Sequence, residues 1–173
     1  MSDSHPPPAG DCTVVIFGAT GDLARRKLLP ALANLAGRRA LPDRFAVVGV
    51  GRTPMTDEAY REKVARSLGE FGSGPVDPAL WAWLEPRLFY AFETLETLPS
   101  YESLSDRLDA LDGASARRTG RLFYLATPPD VMADIVLRMS AVGLLNQEAE
   151  SWRRVVFEKP FGHDLVSALA LDW

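Results

Sequence analysis

The stretch from Val14 to Ala24 constrains the fold of this chain more than any other part of the sequence. Four apolar residues of strand-forming type, 14–17, lead directly into Gly18 and Gly21, and apolar residues at helical spacing follow from Leu23. The stretch therefore predicts a buried β-strand, a tight glycine turn and the beginning of a helix.

The two glycines of this turn predict a binding site for a phosphate group. A pyrophosphate can reach the N–H groups at a helix N-terminus only where no Cβ atom stands in the way, and Gly18 and Gly21 lack that atom. Ala24 is small enough for the helix to lie close to the strand, as a dinucleotide fingerprint requires. The Gly-Lys-Ser/Thr continuation of a P-loop is absent. We therefore predict nucleotide binding, with an ordinary turn as the alternative.

The composition indicates one globular domain in a reducing compartment. The chain has 173 residues, 47% hydrophobic and 24% charged, enough to bury one core. Its net charge of -4 argues against nucleic-acid or membrane-surface partners. Cys12 is the single cysteine and no apolar run is long enough to span a membrane, so we expect a cytoplasmic protein. Residues 1–11 include three consecutive prolines and are expected to form a disordered leader.

Strand and helix patterns alternate along residues 12–173, which predicts an α/β fold with a doubly wound, mostly parallel, Rossmann-like sheet. The expected strands lie near residues 14–17, 45–50, 88–92, 122–126 and 155–157. The expected helices lie near residues 22–35, 56–68, 78–84 and 100–111, then after Pro128, and from Leu165 to a truncated end. Ligands bind at the carboxyl ends of such strands. We therefore expect one edge of the sheet to carry Gly18, Gly51, Thr127 and Glu158.

Local features predict where individual helices are interrupted or buried. Pro30 lies inside the first helix, so we expect a kink or break one turn earlier, with Gly37 ending the helix. The segment 69–75 is expected to end the second helix. The apolar spacing after Pro128 predicts a buried helix face made of Val131, Ile135, either Leu137 or Met139, and Val142.

The residues after the second strand favour NADP over NAD. An NAD enzyme usually carries an acidic residue there to bind the ribose 2′-hydroxyl, whereas this chain has Gly51, Arg52 and Thr53. The guanidinium of Arg52 would pair with a 2′-phosphate, which a carboxylate would repel. The alternative is that Arg52 is an ordinary surface arginine.

Two further groups of cations are candidate ligand contacts. Arg25, Arg26 and Lys27 crowd the first turns of the first helix, where the helix dipole disfavours each cation by about 0.3–1 kcal/mol. A bound anion would reverse that penalty, and the alternative is a solvated basic face. Lys159 follows the fifth strand and could contact both the coenzyme and an anionic substrate, or be a surface lysine. His163 is interpreted as a surface or helix-start residue.

Three blocks of this sequence resemble the coenzyme-binding domain of glucose-6-phosphate dehydrogenases. They are residues 15–28, VIFGATGDLARRKL; 121–129, RLFYLATPP; and 155–162, VVFEKPFG. The resemblance covers roughly residues 12–168. It implies hydride transfer from C1 of glucose 6-phosphate to NADP, an oxidoreductase step of carbohydrate metabolism that opens the pentose phosphate pathway.

The resemblance also implies which residues bind the coenzyme. The glycine turn would cradle the NADP pyrophosphate, Arg52 would hold the 2′-phosphate, Tyr124 would lie near the coenzyme, and Lys159 would contact both coenzyme and sugar phosphate. The complete coenzyme-binding set is Gly18, Ala19, Thr20, Gly21, Asp22, Leu23, Ala24, Arg25, Arg52, Tyr124 and Lys159. Neither the residues nor the resemblance predicts a metal site.

Catalysis by the chain alone is not expected. The family carries a segment R-I-D-H-Y-L-G-K-E whose histidine is the general base, and this sequence lacks it. His163 does not occupy that motif, so the catalytic residue is unknown, and the loss of a base costs about 10²–10⁴-fold in rate. In this family a second, catalytic domain packs against the coenzyme-binding domain. The face that such a domain would cover is expected to be apolar, and it would favour self-association or docking to a full-length homologue.

Two alternative functions share features with this sequence. The first is a stand-alone NADP-binding or regulatory module without catalysis. The second is a sugar-nucleotide or short-chain reductase, which uses the same Gly-Ala-Thr-Gly turn but requires Tyr-x-x-x-Lys. Here Lys63 follows Tyr60 one position too early for that motif.

Overall fold

The structure is a computed structural model that describes residues 10–72, 74–93, 97–113, 119–147 and 151–158. Most of the expected leader, the helix expected from Leu165, and the candidates Lys159 and His163 therefore lie outside the described residues. Asp11, which we assigned to the leader, belongs to the fold. Its carbonyl accepts a hydrogen bond from the N–H of Gly120 at 3.0 Å, and its carboxylate lies 3.7 Å from the guanidinium of Arg44.

Five parallel strands form one sheet in the order β3-β2-β1-β4-β5. The strands are β1 (Cys12–Phe17), β2 (Phe45–Gly51), β3 (Leu88–Phe92), β4 (Gly120–Leu125) and β5 (Arg153–Phe157). The chain winds from central β1 outward to β3 and then crosses to β4 and β5, so the predicted doubly wound α/β sheet is confirmed. Its point of reversal lies beside the carboxyl end of β1, where such sheets bind ligands.

The helices cover both faces of the sheet and create two cores. They are a π-helical turn (Ala24–Leu28), α1 (Leu29–Gly37), α2 (Asp57–Phe71), α3 (Pro78–Leu84), α4 (Leu98–Asp112) and α5 (Pro129–Ala141). Val14 and Ile16 of β1 pack with the first three α-helices, while Val15 and Phe17 pack with α4 and α5. Because both faces of β1 are buried, its sequence is a continuous apolar run instead of an alternating one.

The first helix is interrupted where Pro30 predicts. Proline has no N–H to donate, and the wider π turn places Pro30 in the first turn of α1, where no intrahelical donor is needed. The helix ends at Gly37, as expected. Leu35, expected on the inner face, is 41% exposed, since an extra residue in a helical turn rotates all the residues that follow it.

The segment 69–75 ends α2 as expected, although not at its first residue, and the buried face of α5 was predicted correctly only in part. Gly69 lies inside α2, which continues to Phe71 because the guanidinium groups of Arg25 and Arg26 lie 5.7 and 5.0 Å from the centroid of the Phe71 ring. In α5 the buried face is formed by Met132, Ile135 and Met139, whereas Val131 and Leu137 are exposed. Ile135 and the Met139 alternative were therefore predicted correctly, and Val131 was assigned to the wrong face.

Side chains from neighbouring helices form hydrogen bonds to backbone groups on the outer edge of β3. Asp57 of α2 accepts from the backbone N–H of Tyr90 at 2.7 Å, and Arg61 donates to the carbonyl of Leu88 at 3.1 Å. Arg107 of α4 donates to the same Asp57 carboxylate at 2.6 Å. The edge strand therefore has two of its outward-facing backbone groups already hydrogen-bonded.

Gly49 in β2 leaves space for a buried ring. A Cβ atom at Gly49 would lie 2.5 Å from the phenol oxygen of Tyr60 and 2.8 Å from the Cβ atom of Ala19. Tyr60 is 1% exposed, and its ring packs at 5.2 Å from that of Tyr90. The glycine therefore lets α2 approach the sheet next to the glycine turn.

Gly49→Ala is expected to destabilise the chain by about 1–3 kcal/mol, because the added methyl group has no space beside Tyr60. Gly69→Ala serves as the matched control, since a Cβ atom there meets nothing within 4 Å. That change should stabilise α2 by about 0.5–1 kcal/mol. Urea denaturation of both variants measures the two effects, and equal midpoints would contradict the close contact at Gly49.

Candidate functional site

The glycine turn is tied to the strands on either side of β1. Gly18 has a φ angle of +78°, and a Cβ atom on it would lie 2.4 Å from the carbonyl oxygen of Ala126, just beyond β4. The N–H groups of Gly18 and Ala19 both donate to the carbonyl of Val50 in β2, at 3.0 and 3.1 Å. The carbonyl of Gly18 accepts from Gly21 at 2.9 Å. Only glycine fits at position 18 without moving the backbone.

The turn presents unpaired N–H groups at the start of the first helix. Within the described ranges, the backbone N–H groups of Thr20, Asp22 and Leu23 donate to no partner, and the first bond of the helix runs from Arg25 to the carbonyl of Gly21 at 3.1 Å. Gly21 and Asp22 are exposed, and Gly21 has no side chain that could cover these donors. Unpaired N–H groups and the positive end of the helix dipole favour a bound anion at this point.

Arg52 lies at the same edge of the sheet as the glycine turn. It directly follows β2, which pairs with β1 so that Val50 lies opposite Phe17. The loop that contains Arg52 and Thr53 is fixed by the hydroxyl of Tyr90, which donates to the carbonyl of Thr53 at 2.8 Å. Arg52 itself is exposed and makes no hydrogen bond or ion pair with any described residue. Its guanidinium is therefore available to an anionic ligand.

The side chain of Arg25 points towards α2. Its Nε donates to the hydroxyl of Ser67 at 3.4 Å, and its Nη2 lies 3.5 Å from the carboxylate of Glu70. Arg26 stacks on Phe71 of the same helix. The sequence placed Arg25 with the phosphate-binding residues, and that role stays a prediction.

Tyr124 contacts the residue that follows β5. Its hydroxyl donates to Oε1 of Glu158 at 2.7 Å. Burial, together with the hydrogen bond and the charge of Glu158, raises the pKa of Tyr124 to about 12, so the phenol stays protonated at neutral pH. The sequence placed Glu158 at this edge but did not predict its pairing with Tyr124.

Thr127 adds a group to the site for which the sequence predicted no role. It lies beside the glycine turn, with its methyl carbon 3.5 Å from the position of a Cβ atom on Gly18. Its hydroxyl oxygen is buried and has no hydrogen-bond partner in the part of the chain that the structure describes. Buried polar atoms are usually paired, so this hydroxyl is a candidate ligand contact.

Metal sites and membrane-spanning helices were also searched for in the described residues. Among them, no three His, Cys, Asp or Glu side chains gather in a group that could hold a metal ion. No helix in these same residues is both long enough and apolar enough to cross a membrane.

A sequence model of the family "Glucose-6-phosphate dehydrogenase, NAD binding domain" matches residues 15–173. The chain belongs to the glucose-6-phosphate dehydrogenase family. The family description supports a nicotinamide dinucleotide as the coenzyme of this domain.

Curated relatives agree with this assignment. The chain is 40% identical over 164 residues to the glucose-6-phosphate 1-dehydrogenase of Chlamydia pneumoniae, a match that covers 93% of this chain and 32% of that protein. It is 36% identical over 159 residues to the enzyme of Bacillus subtilis, with coverage of 92% and 31%. The chain therefore spans about a third of the length of the curated relatives it matches.

Solved structures of the family share the fold. A glucose-6-phosphate dehydrogenase in complex with its substrate glucose 6-phosphate has a TM-score of 0.83 and 28% identity, covering 97% of this chain and 34% of that one. The glucose-6-phosphate 1-dehydrogenase of Mycobacterium avium has a TM-score of 0.77 and 32% identity, with coverage of 95% and 33%.

Substitutions at the two glycines of the turn are expected to have different effects. Gly18→Ala should lower stability by about 2–4 kcal/mol, since it combines a left-handed backbone with an overlap against Ala126. Gly21→Ala should cost no more than about 1 kcal/mol, because its nearest neighbour would be the Gly18 carbonyl at 3.2 Å. Thermal denaturation of both variants tests this, and an equal loss at the two positions would contradict it.

Proposed function

We propose that this chain forms the NADP-binding domain of a glucose-6-phosphate dehydrogenase. The observation that carries the proposal is a set of backbone N–H groups beside the Gly18 turn, those of Thr20, Asp22 and Leu23. They have no partner among the described residues and lie on the same sheet edge as Arg52. Backbone donors suit a pyrophosphate, and a planar guanidinium suits a 2′-phosphate. A coenzyme bound across this edge would meet both groups.

Each predicted contact has a physical reason in the described residues. The turn over residues 18–24 would hold the pyrophosphate through the backbone N–H groups of Thr20, Asp22 and Leu23, with no Cβ atom at Gly21 to keep it away. The hydroxyl of Thr127, which has no partner in the described ranges, lies on the β4 side and would donate to the coenzyme beyond its pyrophosphate. The Tyr124 phenol, which already donates to Glu158, would accept a hydrogen bond there. NADP, when bound, supplies a hydride acceptor.

The reaction proposed for the whole enzyme is oxidation of glucose 6-phosphate at C1 to 6-phosphogluconolactone, the entry to the pentose phosphate pathway. Lys159 follows Glu158 and is proposed to contact both coenzyme and sugar phosphate. The motif that supplies the base in this family does not occur in this sequence. We therefore propose that these residues bind coenzyme and do not catalyse the reaction by themselves. The single cysteine, Cys12, supports a cytoplasmic location.

Calorimetric titration with NADP and with NAD tests the proposal. The unsubstituted chain should bind NADP more tightly than NAD, and Arg52→Ala should weaken NADP binding about tenfold or more while leaving NAD binding almost unchanged. Gly21→Ala should weaken the binding of both coenzymes, because its methyl group covers the N–H donors.

Arg38→Ala is the matched control, since Arg38 is an exposed arginine at the opposite end of α1. It should bind both coenzymes as the unsubstituted chain does. A folded chain that binds neither coenzyme would overturn the proposal. An equal loss of NADP and NAD binding in Arg52→Ala would overturn the role of Arg52 in choosing NADP.

A further inference from the structure

β5 is a terminal strand of the sheet, and part of its backbone faces away from the other strands. The N–H of Arg121 in β4 donates to the carbonyl of Trp152 at 2.9 Å, and Arg121 lies opposite Arg153 in the register of the two strands. Because backbone groups alternate in direction along a strand, the even-numbered residues of β5 turn their N–H and carbonyl groups towards β4. The backbone groups of Val155 and Phe157 therefore point away from the sheet.

These outward groups differ from those on the opposite edge of the sheet. In the described ranges, neither the N–H nor the carbonyl of Val155 has a partner, and the same holds for the N–H of Phe157. On β3, by contrast, Asp57 and Arg61 already bond to outward backbone groups. A strand edge with unpaired donors and acceptors is a template for pairing with another strand, so β5 is the edge at which this sheet can be extended.

The side chains of β5 leave its outer edge open to another strand. Residues 155–157, VVF, are apolar and half-buried. Edge strands are commonly protected by lysine or proline, and β5 contains neither. Arg153 is buried and donates to the carbonyl of Thr119 at 3.1 Å. The guanidinium of Arg154 lies 4.9 Å from the centroid of the Trp152 ring. Both arginines are thus engaged by residues of their own chain.

Residues 158–173 are a poor source of a further strand beside β5. A parallel neighbour requires a crossover connection of about a dozen residues or more, followed by a strand of about five. Residues 158–173 are too few for both. A hairpin return would begin with Pro160 and Gly162, residue types that weaken strand pairing. The outward groups of β5 are therefore better matched by a strand of another molecule.

We propose that the outer edge of β5 pairs with the same edge of a second copy of this chain, as two antiparallel strands. A two-fold axis beside Val155 places this residue opposite its own counterpart, so that each N–H donates to the other carbonyl. Phe157 then lies opposite Arg153 of the second copy, and Arg154 lies opposite Val156. No two charges of β5 face each other, and two β-branched side chains meet at the centre, which is a favourable pair. The strand is self-complementary in this register, which is why the occupant is a second copy.

The test is sedimentation of the 173-residue chain over a wide range of concentration, together with amide hydrogen exchange measured by NMR. A monomer–dimer equilibrium is expected. The N–H groups of Val155 and Phe157 should become protected as the concentration rises, because they then donate to the second copy. The N–H groups of Arg154 and Val156 point towards β4 and should be protected at every concentration.

Val155→Pro removes the central outward N–H group and should raise the dissociation constant of the dimer about tenfold or more. Proline is tolerated on an edge strand where its missing N–H would face outward, so the pairing of β5 with β4 is retained. Phe92→Pro is the matched control on the other edge. Glu93 donates its N–H inward to the carbonyl of Gly51, so the N–H of Phe92 points outward. This control should change the dissociation constant by no more than about twofold.

Four results would contradict the pairing of β5 with a second copy. The first is a monomer at every concentration. The second is a dimer in which the amides of Val155 and Phe157 exchange freely, which would assign the contact to another surface. The third is protection of these amides in the monomer, which would show that a segment of the same chain covers the edge. The fourth is equal weakening of the dimer by Val155→Pro and Phe92→Pro. Far-UV circular dichroism establishes that both variants are folded, and the exchange of the unsubstituted chain decides the matter if Val155→Pro is not.

Discussion

The backbone contact between Gly18 and the carbonyl of Ala126 determines how the carboxyl edge of the sheet is arranged. The positive φ angle lets the chain leave β1 against the end of β4, while two N–H groups of the turn bind the carbonyl of Val50 in β2. One turn is thereby fixed to both neighbouring strands. As a consequence, Arg52 on one side and Thr127 on the other lie beside the same helix N-terminus.

The interruption of the first helix links this edge to α2. The π turn over Ala24–Leu28 comes directly after the glycine turn, and its arginines lie against the last two turns of α2. Arg25 and Arg26 thus hold Phe71 and extend α2 past Gly69. The segment that follows the glycine turn therefore also holds the last turns of α2 in place.

The sequence predicted the order of strands and helices because each buried strand is a short apolar run followed by a turn residue. It also predicted the interruption before Pro30, since a missing N–H is a local property. It did not predict that α2 passes Gly69, because the stabilising contacts come from arginines 45 residues away in the chain. In α5, residues 131–142 contain apolar side chains on more than one side, so spacing alone could not choose the buried face.

In the candidate site too, features set by local sequence were predicted, whereas contacts with distant residues were not. Backbone features such as the turn at Gly18 follow from residue type and were predicted. The direction of the Arg25 side chain depends on Ser67 and Glu70, which no local pattern connects with it. The pairing of Tyr124 with Glu158 likewise depends on the register of β4 and β5, which only the assembled sheet determines.

The hydrogen bonds on the outer edge of β3 affect whether a strand of another chain can pair with this sheet. An incoming strand could not bond to the N–H of Tyr90 or the carbonyl of Leu88 without first displacing Asp57 and Arg61, and Asp57 is also held by Arg107. Strand addition on this side of the sheet is thus opposed at Leu88 and Tyr90, even though β3 is a terminal strand.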